Sequence, residues 1–113
     1  MTTTPKVLAA DAQLPAVVGV AYTSPASGRG TWIDKFTLCN TTAGAVTATV
    51  YVVPAAGSPG ASNTVLSAVS IAAGETYLCP EITGRFMAAG SSVQWLASAA
   101  TSITGYIGGR EVT

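Results

Sequence analysis

The chain has 113 residues, enough for one domain that buries roughly two-thirds of the surface its unfolded form exposes. Hydrophobic residues make up 49% and charged residues only 9%, against about 25% in an ordinary soluble domain, and five basic residues balance five acidic ones. So few cations cannot neutralise a run of phosphates, which argues against nucleic acid as a partner, and no stretch approaches about 18 uninterrupted apolar residues, which argues against a membrane span.

Ala, Ser, Thr and Gly supply 58 of the 113 residues, so the polar surface must consist largely of small hydroxyls and main chain. Hydroxyls leave water at much lower cost than ammonium or carboxylate groups. Such an exterior suits a chain that is covered by neighbours. The N-terminus lacks a basic region followed by an apolar core, so no secretory signal is expected and synthesis in the cytoplasm is.

Taken in order, Met1 to Lys6 is Thr-rich with Pro5 and is expected to be flexible. Ala16 to Tyr22 reads as a first strand, with Pro15 placing it at a sheet edge or in an arm, since proline cannot donate to a ladder. Residues 1–22 therefore read as an extended N-terminal arm and first strand, able to pair with its own domain or with a neighbour's sheet edge, and residues 23–113 as the body of a single domain. After the Thr23 to Gly30 loop, Thr31 to Pro54 reads as a β-hairpin turning at Asn40 to Gly44. Its first strand places Ile33 out of phase with Phe36 and Leu38, which calls for a bulge between Ile33 and Phe36. In its second strand Val46, Ala48, Val50 and Val52 form one face and Thr47, Thr49, Tyr51 and Val53 the other.

Pro54 to Ala61 is a protruding loop, Asn63 to Ile71 a strand and Thr76 to Cys79 a short one ending at Pro80. Glu81 to Ser92, interrupted by Gly84 and Gly90, reads as an irregular connection. Val93 to Ala97 and Thr101 to Val112 are the last strands, and Gly105, Gly108 and Gly109 in the final one permit a bend or the close approach of another backbone. Seven to eight short strands separated by Gly and Pro turns, with no helical periodicity, predict an all-β fold. The expected architecture is an antiparallel β-sandwich of jelly-roll or immunoglobulin-like topology.

No catalytic constellation emerges. The chain has no histidine, the commonest general base and metal ligand. Glu75 and Glu81 lie six residues apart along an extended segment, or about 20 Å, too far for a hydrolytic carboxylate pair facing one cleft. Cys39 and Cys79 are too few for a zinc site; they are either free thiols or one disulfide, which would require their strand ends to be neighbours. Gly28-Arg29-Gly30 and the Gly105 to Gly109 segment do not open helices and read as turn or bend glycines. Asn40-Thr41-Thr42 has the form of a glycosylation sequon but, without a secretory signal, reads as a turn. No catalytic, cofactor or metal residue is assigned.

The candidate residues are those of an interface: Val17, Val18, Val20 and Tyr22 on the arm, Thr47, Thr49 and Tyr51 on the hydroxyl face, and Arg85 with Phe86 as an anchor. Trp32, Trp95, Tyr22, Tyr51, Tyr77 and Tyr106 would form a sugar platform only if several were exposed together; scattered over five strands, they read as core or subunit contact.

From CNTTAGAVTATVYVVP through the Gly/Ser loop, the Asn-x-Val-Leu strand and AAGET, that is Leu38 to Glu75, the chain resembles a group of small tailed-bacteriophage and prophage virion proteins. Ile103 to Val112 fits their usual last strand. The resemblance implies a non-enzymatic structural component of the virion, made in the host cytoplasm and present in many copies. Within that class a capsid decoration or cement protein is the first expectation, its partners being the major capsid protein and copies of itself, with a trimer as one symmetric arrangement. The alternatives are a tail, collar or fibre component, or a carbohydrate- or receptor-binding module on the same sandwich.

Overall fold

The computed structural model, which describes residues 2–113, folds the chain into nine strands. They are β1 (Thr3–Gln13), β2 (Gly19–Thr23), β3 (Gly30–Asn40), β4 (Val46–Val53), β5 (Thr64–Ile71), β6 (Thr76–Tyr77), β7 (Phe86–Ala88), β8 (Ser92–Ala97) and β9 (Ile103–Val112). Two antiparallel sheets pack face to face. The first runs β1-β9-β3-β6, with β7 also paired to β3, and the second runs β2-β8-β4-β5. The strands beyond those expected are β1, in the segment read as an arm, and β7, three residues within the segment read as an irregular connection. The expected Thr76 to Cys79 strand is present as the two-residue β6, and the strand expected over Ala16 to Tyr22 is the second one, β2, and begins at Gly19.

The topology follows from one long double ribbon. β4 pairs with β5, β3 with β6 and β7, β2 with β8, and β1 with β9. Rolling this ribbon up brings β9 against β3 and β8 against β4, closing two sheets from strands that alternate between them. That is jelly-roll connectivity. Of the two expected topologies it excludes the immunoglobulin-like one.

The pairing corrects the expected hairpin. β3 and β4 lie in different sheets, so the Asn40 to Ala45 segment is an arch across the sandwich and not a turn within one sheet. Asn40, fully buried, holds it. Its Nδ2 donates to the carbonyls of Gly44 and Ile71, both at 2.8 Å, and its Oδ1 accepts from the Thr42 amide at 2.9 Å and the Thr42 hydroxyl at 2.7 Å. Three of these bonds hold the arch in shape, and the one to Ile71 stitches it to the end of β5. The same engagement removes Asn40 from reach of any modifying enzyme.

The expected bulge is present, as a register shift between Ile33 and Lys35 against β9. It turns both Ile33 and Phe36 inward, where each is fully buried. β4 follows the expected alternation: Val46, Ala48 and Val50 are buried, and the half-buried Val52 packs on the same core opposite Val93, in an unbroken register with β8, while Val53 on the other parity is also buried at the strand end. β5 is also irregular: Ala68 adopts φ 47, its amide donates to the Thr49 hydroxyl at 3.1 Å, and burial switches parity from Leu66 to Ile71.

The N-terminal segment is extended, and it pairs with its own sheet. β1 lies along β9 from Thr3↔Val112 to Gln13↔Thr104. Thr3 to Lys6, expected to be flexible, belong to this strand; as an edge strand it tolerates Pro5, whose flank needs no amide. The expectation for Met1 falls outside the described residues. Between the sheets, Ile33, Phe36, Leu38, Ile103 and Ile107 meet Val50, Leu66, Val93 and Trp95. Phe36 stands edge-on to Trp95, with ring centroids 5.9 Å apart and planes at 87°.

Two of the β9 glycines have identifiable purposes. A Cβ on Gly105 would lie 2.7 Å from the Trp95 indole, so this position makes room for the largest core ring. A Cβ on Gly109 would collide with the Trp32 carbonyl of β3. The second is the close backbone approach that the glycine run implied.

Candidate interaction surface

Each strand of the second sheet has one face on the core and one on the outside. Val46, Ala48 and Val50 of β4 and Val93, Trp95 and Ala97 of β8 point inward and are buried. Their neighbours Thr47, Thr49, Tyr51, Gln94 and Leu96 are half-buried on the outer face. Register sets them in rows: Val20 opposite Gln94 opposite Tyr51, then Leu96 opposite Thr49, then Thr47 opposite Ser70. Thr47, Thr49 and Tyr51 therefore face away from the first sheet. They do not contribute to the packing between sheets.

This face has a property that composition alone does not reveal. Lys6 and Asp11 lie in β1, Asp34 and Lys35 in β3, and Arg110 and Glu111 in β9; Arg29, Glu75, Glu81 and Arg85 sit in the segments that flank β3, β6 and β7. These are all ten charged residues of the chain. The strands β2, β4, β5 and β8 hold none. The second sheet thus presents an uncharged mosaic of hydroxyl, amide and aliphatic groups, the kind of surface that loses water at least cost.

The charges of the first sheet are organised. Arg110 donates to both carboxylate oxygens of Asp34, at 2.8 and 2.9 Å, and its guanidinium holds the Asp34 carboxyl below the usual range. Its guanidinium carbon also lies 5.9 Å from the centre of the Trp32 ring. Trp32 packs on Phe86, centroids 4.8 Å apart, and the two remain 37% and 43% exposed. Tyr77 donates to Glu81, which lowers the carboxyl pKa and pushes that of the phenol up to about 12.

Of the sequence-predicted residues, Val17, Val18 and Val20 are 76%, 43% and 60% exposed and lie together in the β1–β2 link and β2. Arg85 and Phe86 are exposed at the β3 edge of the other sheet, beside Trp32. Val20 stands in one row with Gln94 and Tyr51 and so joins Val17 and Val18 to the hydroxyl face, while Arg85 and Phe86 form a separate patch on the other sheet. Tyr22 is a correction: it is buried, because register turns it inward opposite Val93.

There it clamps the two sheets. Its hydroxyl donates to Glu111 at 2.5 Å, so Thr31 must donate to the Tyr22 oxygen at 2.9 Å and Ser24 to Thr31 at 2.7 Å, giving one directed chain from Ser24 to the carboxylate. Lys6 completes the charge at 3.3 Å. Burial, then the bond to Glu111, pushes the phenol up to about 12, while the Tyr22 bond draws the Glu111 carboxyl below its ordinary range. Sequence reasoning missed this network because its members lie 89 residues apart.

Tyr22→Phe is expected to cost about 2 kcal/mol in urea unfolding, the worth of a hydrogen bond to a charged group. The wild-type contribution of Glu111 is present above its ordinary pKa of 4.5 and is lost as pH falls through the lower folded value. That of Tyr22 is present below 10.0 and is lost as pH rises towards about 12. Both limbs should flatten in the variant, as measured by denaturation across the pH range.

Both cysteines are free, Cys39 half-buried and Cys79 buried, and burial pushes the Cys79 thiol up to about 12. Among the described residues no group of three or more His, Cys, Asp or Glu is placed to hold a metal, and no helix is long and apolar enough to cross a membrane. Comparison with protein-family models, with curated proteins and with solved structures finds no match to this chain.

Proposed function

We propose that the chain is a non-enzymatic structural component of a bacteriophage virion, a decoration or cement protein that lays the outer face of its second sheet across subunits of the head. The observation that carries this reading is that none of the ten charged residues lies in β2, β4, β5 or β8, which leaves the strands of that face uncharged, with Asp11 and Arg85 only at its two edges. Such a face docks without desolvating ions, and each bound copy must be exposed to water again before the shell opens. Jelly rolls recur in capsid and lectin domains. Fold alone does not decide function.

Gln94→Lys tests it by placing one cation at the centre of that face. Binding to phage heads assembled without the chain should weaken by at least about tenfold, or about 1.4 kcal/mol, while the melting temperature moves by less than about 2 °C. Unchanged head binding would overturn the docking face.

A carbohydrate-binding module has one observation in its favour, the exposed Trp32–Phe86 pair beside the Asp34–Arg110 ion pair. Arg110 lies over the Trp32 ring, however, and Phe86 is tilted at 58° to it, so the pair offers no flat stacking platform. Glycan binding that disappears in Trp32→Ala would establish this second reading.

A further inference from the structure

The sandwich is open along one side, where β1 of the first sheet and β2 of the second are both edge strands. A groove of about 610 Å³ runs between them, with Leu8, Ala9 and Trp95 in its lining and the small residues Ala12 and Ala21 on its walls. Beside it stand Val17 and Val18, 76% and 43% exposed, on the link that joins the same two strands. An apolar hole and two apolar knobs thus share one edge of the molecule. A surface that holds both is complementary to itself when a two-fold axis turns one copy onto another.

We propose that the chain pairs with a second copy through this edge, Val17 and Val18 of each copy filling the β1–β2 groove of the other. The charge distribution fits a like partner: formal net charge is zero, so copies do not repel at long range, and Asp11 is the one charged residue lining the groove. The two strand edges differ in how they are guarded. β1 carries Pro5, Lys6 and an irregularity spanning Ala10 and Asp11, which oppose strand addition. β2 has neither proline nor charge, so its outer main chain is left free to meet the partner. This pairing does not rest on the virion reading: it uses the edge of the sandwich, which meets the proposed docking face at Val20.

Sedimentation equilibrium of the full chain tests it. The wild type should have twice the chain mass at tens of micromolar, and two variants should weaken that association by at least about tenfold. In V17D/V18D charge is placed on the exposed knobs, and in Ala12→Trp the groove is filled from its exposed wall. Each should melt within about 2 °C of the wild type, as surface changes do. Gln94→Lys should leave the dimer intact, so loss of head binding and loss of pairing are read separately. A wild type that stays monomeric to about 100 µM, a trimer, or a dimer indifferent to both variants would overturn the proposal.

Discussion

Asn40→Asp is expected to lower the melting temperature by roughly 10 to 15 °C, equivalent to about 3 kcal/mol for a domain of this size. The substitution keeps the shape of the side chain and reverses two of its four bonds. A carboxylate oxygen then faces the carbonyls of Gly44 and Ile71, each 2.8 Å from the original donor, with no proton to share. The Oδ1 side still accepts from Thr42, so the loss falls on the bond that closes the arch on Gly44 and on the one that ties it to Ile71 of β5. Burial against two carbonyls raises the pKa of the new carboxyl above its ordinary value of about 4, and the protonated form regains one donor, so the deficit should shrink as pH falls from neutral towards about 4. Thermal melts at pH 7 and pH 3.5 check both statements, and a variant as stable as the wild type at neutral pH would mean that the arch does not depend on Asn40.

Phe36→Ala is expected to cost about 4 kcal/mol, the loss of a buried aromatic plus the void it leaves. Phe36 is fully buried at the inward end of the Ile33 to Lys35 irregularity, and its ring meets Trp95 of the opposite sheet edge-on. Collapse around the void is restricted, since Trp95 is already set against Gly105. Urea titration should show a lower midpoint at unchanged slope. A loss below about 1 kcal/mol would show that the two sheets close over the gap.

The sequence made one level of this structure readable and left another hidden. Period-two alternation, with a bulge at Ile33, identified which residues of β3 and β4 point inward, because side-chain direction is a local property of an extended chain; it gave no such assignment for β5, whose burial changes parity at Ala68. It did not identify the sheet to which each strand belongs. A five-residue Asn-Thr-Gly turn serves a hairpin and a sandwich-crossing arch equally well, so β3 and β4 read as partners although each pairs elsewhere. β1 was missed over Thr3 to Lys6 for a related reason: Thr and Pro look like a flexible terminus, and only the β9 edge waiting about a hundred residues later makes them a strand. The proposed docking face shows the same division. Low charge was visible in the composition, but its confinement to one side appears only when the jelly-roll order assigns each strand to a sheet. Tyr22 gave no sign in the sequence of its inward turn, which follows from the register shift between Val20 and Tyr22.

A reconstruction of the intact particle decides whether the β2-β8-β4-β5 face seats this chain on a phage head, as proposed. A fixed, high copy number on the head is expected, with Thr47, Gln94 and Tyr51 against capsid subunits and the Asp34–Arg110 pair towards solvent. Density that places the first sheet against the shell, or finds the chain only in the tail, would contradict it.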